Sequence, residues 1–155
     1  MVDLLLVRRL RAWTSNLGRR LVQAPKIFVR DSGICHALLG IENSNDLLGH
    51  PAVGGSWEGF VIENIIGFLP SRATYGYYRT SRGAEIDLVI DDGRGDLLAI
   101  EIKRTTAPSI SKGFYSACDD LQPTKKYVLH GGDDTFPLTG SIEAISLKEL
   151  LNRLK

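Results

Sequence analysis

The sequence contains little cysteine and no long apolar run. Cys35 and Cys118 are the two cysteines in 155 residues, and they form neither a CxxC pair nor a His/Cys spacing suited to zinc. A disulfide-rich secreted scaffold is therefore excluded, and we expect a reduced, cytoplasmic setting. No segment approaches the roughly 20 apolar residues of a membrane-spanning helix. The first ten residues place apolar side chains before basic ones, the reverse of a secretory signal peptide.

The composition is that of an ordinary folded domain. Hydrophobic residues make up 43% of the chain and charged residues 24%, without low-complexity segments or internal repeats. A chain of this length can bury a core without disulfides or metals to stabilise it. We expect residues 1–155 to form a single domain.

The net charge of +1 conceals an uneven distribution. Residues 1–30 contain seven basic residues and a single acid, Asp3, whereas the remaining residues contain seventeen acids and twelve basic residues. A basic segment on an acidic body could follow a phosphate backbone. The same residues could equally face another domain or form a solvated surface.

The order of hydrophobic segments and turn residues predicts an α/β fold with a mixed central β-sheet flanked by helices. Residues 3–22 are expected to form short helical pieces, and residues 49–55 a linker. The predicted strands are Lys26–Arg30, Thr74–Arg79, Ala84–Asp91, Asp96–Arg104, Lys126–His130 and Ile142–Ile145. The predicted helices are Ile34–Leu39 with a cap at Asp31-Ser32, Ser56–Leu69, Pro108–Leu121 and Leu147–Leu154.

Two neighbouring predicted strands carry acidic side chains at alternate positions. A hairpin with Gly93-Arg94-Gly95 at its tip would place Asp87 opposite Glu101 and Glu85 opposite Lys103. Opposed residues project to one face with Cβ atoms about 4.5–5.5 Å apart. Two such carboxylates repel unless a cation lies between them, and Mg²⁺ suits carboxylate oxygens. The alternative is a solvent-facing sheet edge with an ordinary ion pair between Glu85 and Lys103.

The long predicted helix carries one acid among its apolar residues. Glu58 falls inside the apolar arc, between Ile65 and Leu69, whereas Glu63 falls on the opposite side. A carboxylate on a core-facing stripe is costly unless it is paired or metal-bound. We therefore expect Glu58 to point toward the strand pair and Glu63 to face solvent. Stabilisation of Glu58 by the helix dipole is the competing explanation.

Glu58 on a helix, followed by Asp87 and by Glu101-Ile102-Lys103, resembles the PD-(D/E)XK nuclease superfamily. Four stretches also resemble a narrower group, the C-terminal DUF4143 domain of AAA-type ATPases: APKIFVRDSGICHALLG, GGSWEGFVIENII, YYRTSRGAEIDLVI and LLAIEIKRT. The resemblance implies a restriction-endonuclease-like core and a preceding ATPase domain, with residues 1–24 as the basic end of a longer chain. No GxxxxGK[ST] motif occurs here, so we expect these residues not to bind ATP.

The resemblance further implies metal-dependent hydrolysis of DNA. Mg²⁺, or Mn²⁺ in its place, would be held by Asp87, Glu101 and the Ile102 carbonyl, with Glu58 as an additional catalytic acid. Lys103 would position the attacking water. In many nucleases a proline precedes the strand acid, whereas Glu85-Ile86 stands here, which leaves the exact substrate open. The rival interpretation is a non-catalytic regulatory or partner-binding module that serves the ATPase.

Arginines and tyrosines flank the acidic strand. Arg79 and Arg82 precede Asp87 and are candidate DNA contacts, because a loop at the edge of the site would present them to phosphate. Tyr75, Tyr77 and Tyr78 could stack on bases, but their pattern favours packing within the sheet. The expected partners are therefore DNA and an N-terminal ATPase domain, and no membrane.

Overall fold

The computed structural model describes residues 5–14 and 21–155, which form helices around a mixed β-sheet. The strands are β1 (Val7–Leu10), β2 (Lys26–Val29), β3 (Thr74–Arg79), β4 (Glu85–Asp91), β5 (Leu97–Ile102), β6 (Lys125–His130), β7 (Phe136–Pro137) and β8 (Ile142–Ser146). The helices are α1 (Ser32–Leu38), α2 (Ser44–Gly49), α3 (Val53–Phe68), α4 (Lys112–Leu121) and α5 (Leu147–Arg153). None of these described helices has the length and apolarity needed to cross a membrane.

The main sheet has six strands in the order β3-β4-β5-β6-β8-β7, and β1 and β2 form a separate antiparallel pair. Strands β3, β4 and β5 are antiparallel neighbours, whereas β5, β6 and β8 run parallel. A parallel pair requires a crossover connection, and α4 lies in the connection from β5 to β6. The predicted α/β class with a mixed, helix-flanked sheet is confirmed.

The sheet buries a different hydrophobic core on each face. On one face, α3, α5 and the β1–β2 pair cover a cluster that includes Leu88, Ile100 and Ile62. On the other, α4 packs Phe114 against a cluster that includes Val89. We refer to these as the α3 face and the α4 face. The face on which each charged side chain lies decides which groups can meet.

Strand β4 contains a bulge at the position where the acidic residues lie. Gly76 pairs with Val89 and Tyr78 pairs with Ile86, so Tyr77 stands opposite two residues, Asp87 and Leu88. An extra residue in one strand breaks the alternation of side chains between the two faces. Ile86 accordingly packs with Val89 on the α4 face, whereas Leu88 packs on the α3 face.

Capping side chains set several helix starts. Asp31 accepts a hydrogen bond from the Ile34 N–H at the start of α1, as predicted. Ser111 accepts one from the Phe114 N–H, so α4 begins at Lys112, whereas the sequence predicted a start at Pro108. The chain then leaves α4 through Gln122 in the left-handed conformation, φ 49°. Proline and N-cap residues both indicate helix starts. In α4 the N-cap residue Ser111, and not Pro108, sets the first helical residue.

Two predictions about the first half of the chain are wrong, and one short helix was not predicted. Residues 7–10 form β1 where short helical pieces were predicted, and residues 1–4 and 15–20 lie outside the described residues. Helix α2 was not predicted, and α3 begins at Val53, inside the predicted linker 49–55. Residues 7–10 are a strand because they pair with β2, and the segment continues into Arg11 and Trp13, which exchange backbone hydrogen bonds with Tyr77 at the edge of β3. Tertiary pairing thus overrode local propensity.

Candidate functional site

Three carboxylates converge on one ammonium group on the α3 face. The Lys26 Nζ lies 2.8 Å from Glu58 Oε1. It also lies 3.2 Å from Glu85 Oε1 and 3.4 Å from Asp87 Oδ1. The four side chains are between 19% and 34% exposed, so the cluster is accessible from one side only. We call this group the Lys26 cluster.

Lys26 is fixed by the packing of β2 against α3 and by the tyrosine beneath it. Phe28 packs so closely on Gly59 that a Cβ at that glycine would lie 3.1 Å from the Phe28 ring. Alternation along β2 puts Lys26 on the same face as Phe28. The Tyr77 hydroxyl donates to the carbonyls of Val22 and Ala24, and the Lys26 Nζ lies 5.5 Å from the Tyr77 ring centre. The lysine therefore has a defined position.

The bulge in β4 turns Asp87 toward this cluster. Its Oδ2 accepts a hydrogen bond from the Ile102 N–H at 2.9 Å, and its Oδ1 faces Lys26. Burial raises the pKa of Asp87 to about 6, because desolvation outweighs the opposing effects of Lys26 and of the Ile102 N–H. The neighbouring charges of Glu58 and Glu85 raise it further. Asp87 is thus an acid whose ionised form is costly in this fold.

The Lys26 cluster has more negative than positive groups. Its three carboxylates face Lys26, and Arg79 approaches Glu85 with Nε 3.6 Å from Oε2. Burial alone would lower the pKa of Lys26, but the charges of Asp87 and Glu58 raise it well above its usual range. When all five groups are ionised, one negative charge remains uncompensated. A partly buried excess of this sign favours the binding of a further cation.

Glu101 and Lys103 lie on the other side of the sheet. The Lys103 Nζ pairs with Glu101 Oε1 at 2.8 Å, and Glu101 Oε2 accepts a hydrogen bond of 3.3 Å from the Ser111 N–H, at the start of α4. The Glu101 side chain is 6% exposed. These partners place it on the α4 face, away from Asp87.

The prediction that Asp87 and Glu101 share a face is therefore wrong. The predicted register itself holds in the described pairs, for example Leu88 with Ile100. The bulge reverses the side-chain direction at Asp87, and sequence alternation alone could not indicate it. Ile102, predicted as a carbonyl ligand, instead approaches Asp87 through its N–H, which is a donor and cannot ligate a cation.

The prediction for one acid on α3, Glu58, is confirmed, and the prediction for the other, Glu63, is wrong. Glu58 points toward the strands as predicted, since it shares Lys26 with Glu85. Glu63 was expected in solvent, but its side chain is only 18% exposed. Arg8 binds it in bidentate fashion with two contacts of 2.8 Å, and Arg30 adds a further contact of 2.6 Å. The β1–β2 pair covers that side of α3, which no periodicity within α3 could reveal.

The remaining predicted residues lie at the rim or in the core. Arg79 is 52% exposed, and Arg82 is exposed in the turn between β3 and β4, near Glu85. Tyr77 and Tyr78 are buried, which confirms packing over base stacking. The alternative ion pair between Glu85 and Lys103 is not made, because Glu85 pairs with Lys26 and Arg79.

The predicted ligands Asp87 and Glu101 do not meet, and the acids that do meet lie on the α3 face. The sheet separates Asp87 from Glu101, so a shared ion does not fit. Glu58, Glu85 and Asp87 already direct oxygens at one cationic point. With the Lys26 ammonium at that point, no group of three or more His, Cys, Asp or Glu side chains among the described residues is placed to hold a metal. A divalent ion would require this ammonium to shift aside.

Sequence reasoning missed Lys26 and gave Glu85 no functional role. Lys26 was counted only within the basic segment. Alternation puts Lys26, Phe28 and Arg30 on one face of the strand, but the apolar Ile27 and Val29 on the other face are the ones that a sequence pattern would assign to the core. No local signal indicated that β2 would cross α3 at Glu58, because that contact joins residues 32 positions apart.

Comparison with known proteins identifies the family. The profile described as "Domain of unknown function (DUF4143)" matches residues 53–150. The chain belongs to the DUF4143 domain family. A second profile, "Domain of unknown function (DUF8612)", matches residues 1–45. The Lys26 cluster therefore takes its lysine from the DUF8612-matching segment and its three acids from the DUF4143 domain.

Relatives of this DUF4143 protein occur in mycobacteria. An uncharacterized protein of Mycobacterium tuberculosis and one of Mycobacterium bovis are each 40% identical over 151 residues, which is 97% of this chain and 34% of each relative. The chain thus spans about a third of the length of these relatives. No solved structure matches.

Proposed function

We propose that this domain hydrolyses phosphodiester bonds of DNA with a divalent metal ion held on the α3 face. The supporting observation is the convergence of Glu58, Glu85 and Asp87 on a single cationic point, with an uncompensated negative charge. An isolated ion pair would need one carboxylate for Lys26, whereas this fold assembles three. The site differs from the predicted one, because Glu85 replaces Glu101.

The chemistry follows from the charges of the site. A divalent cation, Mg²⁺ or Mn²⁺, would lower the pKa of a water molecule and offset the charge of the phosphate. Glu58, Glu85 and Asp87 would hold it through carboxylate oxygens. A bond then forms between the water oxygen and phosphorus as the phosphorus–oxygen ester bond breaks. The water proton passes to solvent, and the leaving alkoxide takes a proton from solvent.

Arg79 and Arg82 would hold the DNA backbone at the rim of the site. Both are exposed near the start of β4, close to Glu85. Arginine binds phosphate through charge-assisted hydrogen bonds. Their placement beside the acids would bring a phosphate to the cation without burying the duplex.

We place this activity within a larger ATPase. The order of a helix and then three strands over α3–β5 supports this proposal, because the resemblance to PD-(D/E)XK nucleases implies an acid-bearing helix followed by strands. The mycobacterial relatives have about two-thirds of their length outside the shared region, which is room for an ATPase domain. That domain and DNA are the proposed partners.

A second candidate is the non-catalytic regulatory or partner-binding module. It is favoured by the ammonium of Lys26 at the centre of the acids, which a purely structural ion-pair network would also contain. On this interpretation the cluster joins β2 to α3 and β4 and performs no chemistry. The two candidates differ in whether the domain requires a metal.

The test is a cleavage assay on supercoiled, linear and branched DNA with Mg²⁺ or Mn²⁺. We expect wild-type protein to nick DNA, and Asp87→Asn to lose at least about 100-fold in rate because the cation loses an anionic ligand. The matched control is Glu143→Gln, an exposed carboxylate paired with Arg153 away from the site, which should cut like wild type. Metal-independent cutting, or equal cutting by Asp87→Asn, would indicate a contaminant. No cutting by the full-length protein with ATP and metal would support the partner-binding module.

A further inference from the structure

Lys26 has the placement that the sequence analysis assigned to Lys103. Its Nζ contacts all three acids of the proposed metal site, at 2.8, 3.2 and 3.4 Å. Its side chain is 21% exposed, so the ammonium is neither fully solvated nor sealed in the core. A bound water or phosphate next to these acids would therefore lie within reach of Lys26.

Lys103 makes its ion pair on the other face of the sheet. Its ammonium pairs with Glu101 on the α4 face, and Glu101 is further held by the Ser111 N–H. To reach Asp87, Lys103 would have to cross the plane of the sheet. Its backbone is also fixed, because the Lys103 N–H donates to the Leu129 carbonyl and its own carbonyl accepts from Trp57 Nε1. Lys103 cannot serve the α3 face in this fold.

The charge state of Lys26 defines what it can do. Its Nζ faces three carboxylates, and these contacts stabilise the ammonium form. A protonated lysine cannot accept the proton of an attacking water. It can donate hydrogen bonds to that water and to a phosphate oxygen that gains charge in the transition state.

We propose that Lys26, and not Lys103, is the cationic group that orients the attacking water and stabilises the transition state at this site. This inference rests on the proposed function, phosphodiester hydrolysis on the α3 face. A divalent ion held by Glu58, Glu85 and Asp87 would require the Lys26 ammonium to leave its present position among them. In that present position the Lys26 Nζ lies 5.5 Å from the Tyr77 ring centre.

The test compares Lys26→Met with Lys103→Met in the same chain. Methionine keeps an unbranched apolar stem and removes the charge. We expect Lys26→Met to cut DNA at least about 100-fold more slowly at saturating DNA, with little change in DNA affinity. Lys103→Met should stay within about threefold of wild type, if its thermal unfolding is unchanged.

Metal binding gives a readout that is independent of activity. Free Mn²⁺ measured by electron paramagnetic resonance should show about tenfold tighter binding to Lys26→Met, because the competing ammonium is gone. Lys103→Met should bind Mn²⁺ like wild type. A merely structural lysine would instead give a variant that loses thermal stability, cutting and metal binding together.

The outcomes separate this inference from the proposed function. If wild type cuts and Lys103→Met abolishes cutting while Lys26→Met does not, Lys26 is excluded and the nuclease assignment stands. If wild type does not cut, both proposals fail. Should Lys26→Met not fold, Lys26→Gln is measured in its place. If neither variant folds, Lys26 is a structural residue and the inference is overturned.

Discussion

Asp87 is a carboxylate whose ionised form lowers the stability of the fold. Three features of its surroundings oppose ionisation: burial, Glu58 and Glu85. Among the described residues, Lys26 and the Ile102 N–H favour it. A fold that keeps such a carboxylate instead of an amide accepts a cost in stability, which is typical of functional positions.

The stability of the protein should therefore depend on the state of Asp87. Its pKa in the fold is about 6, above the ordinary 3.8, so the folded state binds the proton more tightly than the unfolded state. The stabilising contribution of the protonated form is complete below about pH 4 and is lost as the pH rises through about 6. Ionised Asp87 then costs up to about 3 kcal/mol at neutral pH, from roughly two pKa units at 1.36 kcal/mol each.

Urea unfolding of wild type and Asp87→Asn between pH 4 and 7, with chelator and without divalent ions, checks this expectation. The difference in free energy of unfolding, Asn variant minus wild type, should increase by about 1–3 kcal/mol as the pH rises from 4 to 7. Asp119→Asn, on the exposed side of α4, is the matched control and should not change the pH profile. Parallel profiles for wild type and Asp87→Asn would contradict the assignment of a strained carboxylate.

At the scale of elements, close approaches at two glycines, one to a backbone atom and one to a side chain, position the strands and helices that carry the acids. The start of α4 meets the turn between β3 and β4 at Gly113, where a Cβ would lie 2.6 Å from the Gly83 carbonyl oxygen. That turn also carries Arg82 and leads into Glu85. Strand β2 approaches α3 in a similar way, through Phe28 and Gly59. These contacts fix the elements that deliver the acids to the α3 face.

A pair of glycine variants tests the contact between α4 and the turn. Gly113→Ala should destabilise the fold by about 1–3 kcal/mol, because a backbone atom must move to admit the methyl group. Gly67→Ala, in α3 with no atom within 4 Å of the new Cβ, should instead be neutral or stabilise by up to about 1 kcal/mol. Thermal unfolding measures both, at roughly 2–4 °C per kcal/mol for a chain of this size. Equal effects of the two variants would show that packing at Gly113 does not matter.

At the scale of the whole molecule, the folded chain uses much of its basic N-terminal charge internally. Arg8 and Arg30 pair with Glu63, and Lys26 pairs with three acids. Arg19 and Arg20 lie outside the described residues. Arg79 and Arg82 are exposed beside the candidate site, so the rim of the site is the surface where the proposed function requires DNA to bind.

DNA binding should reflect these contacts. Affinity should fall as salt rises, since each phosphate contact releases counterions, and Arg79→Ala or Arg82→Ala should each reduce the slope of log affinity against log salt by about 1. Arg94→Ala, in the turn between β4 and β5 at the far end of β4, is the control and should leave the slope unchanged. Fluorescence anisotropy with a short duplex at several salt concentrations measures this. An identical slope in all four proteins would show that Arg79 and Arg82 do not contact the DNA phosphates.

The sequence alone determined the α/β class, the long helix α3, the three strands β3, β4 and β5, and the hairpin register of β4 with β5. Each of these follows from local signals, namely apolar periodicity and glycine-rich turns. The sequence also determined that Glu58 is an unusual acid, because its neighbours on the helix are apolar. Family membership was carried by short stretches in a fixed order, which a comparison of sequences can confirm.

Only the tertiary structure decided which of these groups meet. The bulge at Asp87 and Leu88 arises from the pairing of β4 with β3, and it turns Asp87 away from Glu101. The ion pairs of Lys26 and Glu63 join residues 32 to 61 positions apart in the chain. Local periodicity contains no information about such contacts, because the face on which a side chain lies depends on every irregularity in the strands between them. The acids could be named from the sequence, but their grouping into a site depended on the fold.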